Sequence, residues 1–114
     1  MSSGLSIDIE LIDNKTVLRL NGRLDAASAP ILEDKIKELM NKNQKQLVID
    51  FTGLDYLSSA GMRLLLAYTK KIKSMDGSLN CCCINEEVME IIKMAGFEKI
   101  LRIFNTEKSA IEAK

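Results

Sequence analysis

Val48 to Gly61, reading VIDFTGLDYLSSAG, holds the residues with the most evident chemistry. A strand-like run ends in the acid Asp50, a short turn follows, and Ser58-Ser59 opens a long amphipathic helix. A helix start leaves N–H groups unpaired and carries the positive end of the dipole. A serine there can cap the helix, the commonplace use of such a residue. It can also carry a phosphate, because the same N–H groups stabilise the added anion. The arrangement points to a modification switch more than to an active site.

Other chemistry finds little support. The chain has His 0, so Ser59 lacks the usual base of a nucleophilic triad. It also lacks a Gly-rich phosphate loop and a sequence cluster of metal ligands. Cys81-Cys82-Cys83 have neither CxxC spacing nor histidine partners and read as small buried hydrophobes of a strand. Their odd, unspaced number suits a reducing compartment. No catalytic residue, metal or cofactor is expected. Lys+Arg 16 balances Asp+Glu 16, giving no whole-molecule field for nucleic acid. The Lys70-Lys71-Ile72-Lys73 run reads as a solvated helix face. No stretch approaches the ~18 apolar residues of a membrane span, and MSSGLSIDIE lacks a leader pattern. A cytoplasmic protein without membrane insertion or direct nucleic-acid binding is expected.

Met62, Arg63 and Leu66 share a helix face with Ser59. That face is displaced from the Gly61-Leu65-Tyr68-Ile72-Met75 core stripe and forms a candidate docking patch, although Leu66 would also suit the core's edge. Arg63 could pair with a phosphate on Ser59, meet an acid on a partner, or stay idle at the surface. Gly61 costs roughly 1 kcal/mol against Ala inside a helix, so close packing or close partner approach must compensate. Asp25, before the first helix, is either a turn residue or a partner contact. Asp50 reads as a hydrogen-bond acceptor for the turn after it.

The elements that position these residues follow from periodicity. Leu5 to Ile12 alternates Leu5, Ile7, Ile9 and Leu11 with polar residues, and Thr16 to Leu20 answers it across Asp13-Asn14 as a hairpin that Gly22 ends. Ser28 caps a helix from Ala29 to Asn41 with Pro30 in its first turn and Leu32, Ile36, Leu39 and Met40 inward. Gln46 to Phe51 reads as a central strand, and Ser59 to Met75 as the second helix, stopped by Asp76-Gly77. Ser78 to Ile84 is a strand, and Asn85 caps a helix burying Val88, Met89, Ile91, Ile92 and Ala95. Lys99 to Phe104 is the last strand, and Thr106 caps a final helix. The order β-β-α-β-α-β-α-β-α implies a single α/β domain over residues 1–114. Its small mixed sheet starts with a hairpin and continues in parallel strands, with β1 at an edge, Leu47-Val48-Ile49 central and helices mainly on one face.

With these elements in place, the chain resembles the STAS domain of bacterial anti-sigma factor antagonists. The resemblance spans essentially the whole chain and rests on GRLDAASAP, LVIDFTGLDYLSSAGMRLLL and MAGFEKILRIF, of which the middle segment is the most specific. It implies a binding protein, not an enzyme, within a partner switch. In the family, a serine kinase that is also an anti-sigma factor phosphorylates the serine two residues before the glycine, here Ser59. Ser58 is the secondary candidate and stands where many members have Asp. Phosphorylation blocks binding to the kinase, and a phosphatase restores it. The implied partner-binding residues are Asp25, Ser58, Ser59, Gly61, Met62, Arg63 and Leu66. The alternative is a non-switching STAS assembly subunit of a lipid-transport or stress-sensing complex.

Overall fold

The computed structural model describes residues 4–113. Among these, the chain runs β1 (Leu5–Ile12), β2 (Lys15–Leu24), α1 (Ala29–Asn41), β3 (Gln46–Leu57), α2 (Ser59–Ser74), β4 (Ser78–Cys82), α3 (Glu86–Met94), β5 (Arg102–Phe104) and α4 (Glu107–Glu112). The element order is the expected one. The strands form one sheet in the order β1-β2-β3-β4-β5, with β1 antiparallel to β2 and the other neighbours parallel. Asp13 and Asn14 take φ of 51° and 67°, as a two-residue hairpin turn demands and these residue types tolerate.

β3 is the central strand, and its Leu47, Val48 and Ile49 are fully buried. Leu47 and Ile49 join Leu18 and Leu20 beneath α1, α2 and α3, whereas Val48 joins Val17, Cys82 and Ala110 of α4 on the opposite face. Strand alternation divides the cysteines in the same way, with Cys81 among the first set and Cys82 among the second. The Tyr68 hydroxyl donates to Glu33 at 2.9 Å and ties α2 to α1. On the other face, Asn80 Nδ2 donates to the Ala110 carbonyl at 2.9 Å, and Arg19 forks onto Glu107 at 3.0 and 2.8 Å.

Several boundaries differ from the sequence expectation. β2 does not end at Gly22 but continues to Leu24. Gly22 has φ of 107°, and a Cβ there would lie 2.0 Å from the Gly4 carbonyl oxygen. The glycine therefore lets β2 pass close beneath the start of β1. Because β2 is longer, β3 also runs on: Asn21, Gly22, Arg23 and Leu24 pair with Gly53, Leu54, Tyr56 and Leu57. The expected turn after Asp50 is strand. Asp50 still serves its local role, with Oδ1 accepting from the Thr52 N–H at 2.8 Å and the Thr52 hydroxyl at 2.6 Å.

β4 stops at Cys82, not Ile84, because Cys83 turns to φ of 61°, and β5 begins only at Arg102. Met75 follows the end of α2 as its C-cap and is exposed, as is Ala95 after α3. The apolar face of β1 is covered only in part: Leu5 is buried, while Ile9 and Leu11 face solvent.

Candidate functional site at the start of α2

β3 delivers the chain to α2 at the carboxyl edge of the sheet, beside the loop from β2 to α1. Ser58 is the extended N-cap residue, with φ of −90° and ψ of 172°. Its N–H donates to the Leu24 carbonyl at 2.9 Å, and its own carbonyl accepts from the Met62 N–H at 2.9 Å. Its hydroxyl accepts from the Gly61 N–H at 3.2 Å. The Ser58 carbonyl and hydroxyl oxygens thus start the helix while its N–H ties it to β2, and the residue is half-buried.

Ser59, one position on, is exposed, and its hydroxyl has no hydrogen-bond partner among the described residues. The cap satisfies Gly61 and leaves the N–H groups of Ser59 and Ala60 open at the positive end of the helix. The two serines are therefore physically different, one a cap and the other a free hydroxyl at an anion-favouring position.

Gly61 presses this helix start onto β2. A Cβ at residue 61 would lie 2.8 Å from Leu24 Cγ, 2.9 Å from the Leu24 carbonyl oxygen and 3.0 Å from Leu57 Cδ1. Of the two readings of Gly61, close packing is what the structure displays. Because the same carbonyl receives the Ser58 N–H, the end of β2 and the start of α2 are locked together. This places Ser59 next to the Asp25 loop.

Asp25 organises that loop. Its Oδ1 accepts from the Ser28 N–H at 3.0 Å and the Ala27 N–H at 3.1 Å. The Ser28 hydroxyl donates to the Arg23 carbonyl at 2.7 Å, lies 3.1 Å from the Asp25 carboxylate, and accepts from the Asp25 N–H at 2.9 Å. The Ser28 N–H, above all, holds the Asp25 carboxyl below the usual carboxylate range, with further help from the Ser28 hydroxyl, Ala27 and Arg23. Ser28 occupies the N-cap position of α1 but makes no side-chain cap, contrary to expectation, because its hydroxyl is committed to this loop.

The docking patch needs correction. Met62 is not displaced from the core: it is 4% exposed and packs within the main hydrophobic cluster, since the close approach at Gly61 carries its neighbour inward. Leu66 is half-buried at the edge of that cluster. Arg63 is exposed and has no ion pair among the described residues. Ser59, Arg63 and the Asp25 loop remain at the surface. Arg23 and Tyr56, which the sequence reading did not single out, border the same corner, with the guanidinium 4.4 Å from the ring centroid and 3.8 Å from Asp25. Their pairing appears only once β2 extends beyond Gly22. Regular alternation on both sides of Gly22 was the available signal.

The corner offers an exposed hydroxyl, open helix N–H groups and Arg63 one turn along the same helix face, a setting that suits attachment of a phosphate. A family model of the STAS domain matches residues 6–110. The chain belongs to the STAS domain family. Among its relatives is the anti-sigma-F factor antagonist RsfB of Mycobacterium tuberculosis, 29% identical over 113 residues that cover 97% of this chain and 92% of RsfB. An anti-sigma factor antagonist from Mycobacterium paratuberculosis has a similar structure, with a TM-score of 0.86 at 22% identity, covering 97% of this chain and 94% of that one. The Bacillus cell fate determinant SpoIIAA is similar in its unphosphorylated form, an anti-sigma factor antagonist, with a TM-score of 0.78 at 20% identity and 94% of each chain covered. Its phosphorylated form gives a TM-score of 0.70 at 19% identity, covering 94% of this chain and 97% of that one.

Proposed function

We propose that this chain is an anti-sigma factor antagonist that acts by partner switching, with Ser59 as the phosphorylated residue. The observation that carries this reading is the contrast between the serines: Ser59 is exposed with a free hydroxyl, whereas the Ser58 hydroxyl is spent on the Gly61 N–H. The antagonist relatives, and a solved phosphorylated form of one similar protein, supply the biological frame. Unphosphorylated, the corner formed by Ser59, Arg63 and the Asp25 loop docks on a serine-kinase anti-sigma factor in the cytoplasm and releases its sigma factor. A phosphate of roughly −2 charge at that contact is costly to bury unless paired. Binding is then lost until a phosphatase removes it. The chain acts as a regulatory binding protein and does no chemistry of its own.

Incubation with candidate serine-kinase anti-sigma factors and ATP, followed by peptide mass spectrometry, tests the reading. One phosphate on Ser59 is expected. Ser59→Ala should bind the kinase without accepting phosphate, and Ser59→Asp should bind more weakly by roughly tenfold or more. Phosphate mapped to Ser58, or Ser59→Asp binding as tightly as the unmodified chain, would refute the assignment.

A further inference from the structure

The face of the sheet beneath α4 holds a cluster that the Ser59 corner does not use. Pairing of β3 with β4 sets Asp50 opposite Cys82. Alternation along a strand would send Cys83 to the other face, together with Cys81. It does not, because Cys83 has φ of 61°, a left-handed conformation that side-chain-bearing residues seldom adopt. That turn brings its sulfur to the same side as Cys82. A carboxylate oxygen of Asp50 and the sulfurs of Cys82 and Cys83 consequently all lie within 4.8 Å of one another. Asp50 and Cys82 are buried, and Cys83 is half-buried.

We propose that Asp50, Cys82 and Cys83 form a binding site for a thiophilic divalent cation of the zinc class. Such a cation takes thiolate sulfur at about 2.3 Å and carboxylate oxygen at about 2.0–2.2 Å. Tetrahedral bonds of those lengths put the donor atoms roughly 3.5–3.8 Å apart, so closing the site needs a movement of about an ångström. Thr52 holds Asp50 Oδ1 through two hydrogen bonds and fixes the carboxylate, the outer-shell support that metal ligands usually have. The fourth position falls to water, since the nearby acid Glu107 lies outside this group of donors. Glu107 is also paired with Arg19, the nearby cation that an incoming metal must tolerate.

Asp50 also lines a cleft of about 300 Å³ with Asp8, Arg19, Asn21, Thr52 and Gly53, which gives a hydrated ion a polar approach. Coordination displaces the two thiol protons to solvent, and no electron is transferred. α2 and Ser59 belong to the other face of the sheet, so the site is separate from the phosphorylation corner.

Titration of the fully reduced protein with Cd²⁺, followed by sulfur-to-metal charge-transfer absorption and reversed by Zn²⁺, tests the proposal. One equivalent per chain is expected, with an unchanged signal in Cys81→Ala, whose sulfur lies on the opposite face. Cys82→Ala and Cys83→Ala should each lose the stoichiometric signal, and Asp50→Asn should weaken binding by more than about tenfold. Circular dichroism verifies that each variant is folded. Absence of a one-to-one signal in the unsubstituted protein overturns the site without recourse to any variant. So does a signal that survives in a folded variant lacking both Cys82 and Cys83, or that disappears in folded Cys81→Ala.

Discussion

Gly61→Ala separates two physical effects of opposite sign. In an unconstrained helix, alanine in place of glycine stabilises by roughly 1 kcal/mol through propensity alone. Here the new methyl would meet Leu24 Cγ at 2.8 Å, the Leu24 carbonyl oxygen at 2.9 Å and Leu57 Cδ1 at 3.0 Å. The leucine side chains can yield by a few tenths of an ångström. The carbonyl cannot do so easily, because it also accepts the Ser58 N–H at 2.9 Å. Overpacking of this kind costs about 1–3 kcal/mol. Set against the propensity gain, the net change is a destabilisation of about 0–2 kcal/mol. Urea unfolding should show a lower midpoint with an unchanged slope. The start of α2 should also move away from β2, so phosphorylation of Ser59 and binding of the kinase should weaken even under conditions where the variant is fully folded. A stabilisation near 1 kcal/mol would show that the close approach is absent and that Gly61 does not set the position of Ser59.

Ser58→Ala should lose about 1 kcal/mol of stability through the missing cap, whereas Ser59→Ala should change stability by less than about 0.5 kcal/mol; equal losses by thermal unfolding would contradict the division of roles. A phosphate on Ser59 would sit at the positive end of a dipole, where an anion gains ~0.3–1 kcal/mol. The phosphorylated protein should therefore melt no lower than the unmodified one, and a fall of several degrees would point to local unfolding as the switch. The Asp25 carboxyl is depressed in the folded state. Its contribution is thus present above the unfolded pKa, about 4, and is lost as pH falls through the lower folded value. Asp25→Asn should flatten the stability profile below about pH 4 and leave the slope near neutrality unchanged.

Periodicity carried the architecture because its signals are local. Alternation in Leu5–Ile12, the apolar Leu47-Val48-Ile49 run and the caps at Asn85 and Thr106 each specify an element without reference to the rest of the chain. Long-range pairing was not legible in the same way. Gly22 read as the end of the hairpin and the stretch after Asp50 as a short turn because glycine marks chain breaks more often than strands. In the structure Gly22 instead permits the approach of Gly4, and Gly53 lies against Asn21. Burial at Met62 was hidden for a related reason. A helical wheel places Met62 beside the stripe, and only the pressing of Gly61 onto Leu24 shows that the core extends that far. The grouping of Cys82 and Cys83 depends on one backbone angle at Cys83, for which the sequence carries no rule.

The geometry of Ser59 therefore rests on two residues of β2 that sequence periodicity did not assign to it. If β2 ended at Gly22, the Leu24 carbonyl would not be fixed in place to receive the Ser58 N–H, and Gly61 would have no close surface to pack against. Arg23 would not stand over Tyr56 either. Extending β2 to Leu24 sets the cap, the glycine contact and the loop cation together. That shared dependence accounts for the division of labour between adjacent serines. Ser58 sits where the chain must be held and has its hydroxyl consumed, while Ser59 follows on the rigid turn so formed, with its hydroxyl outward. An Asp at position 58 would cap equally well, but its charge would repel a phosphate on its neighbour. With serine there, the cap is neutral, and a phosphate on Ser59 would meet the open helix N–H groups, with Arg63 one turn along the same face and no opposing carboxylate at position 58.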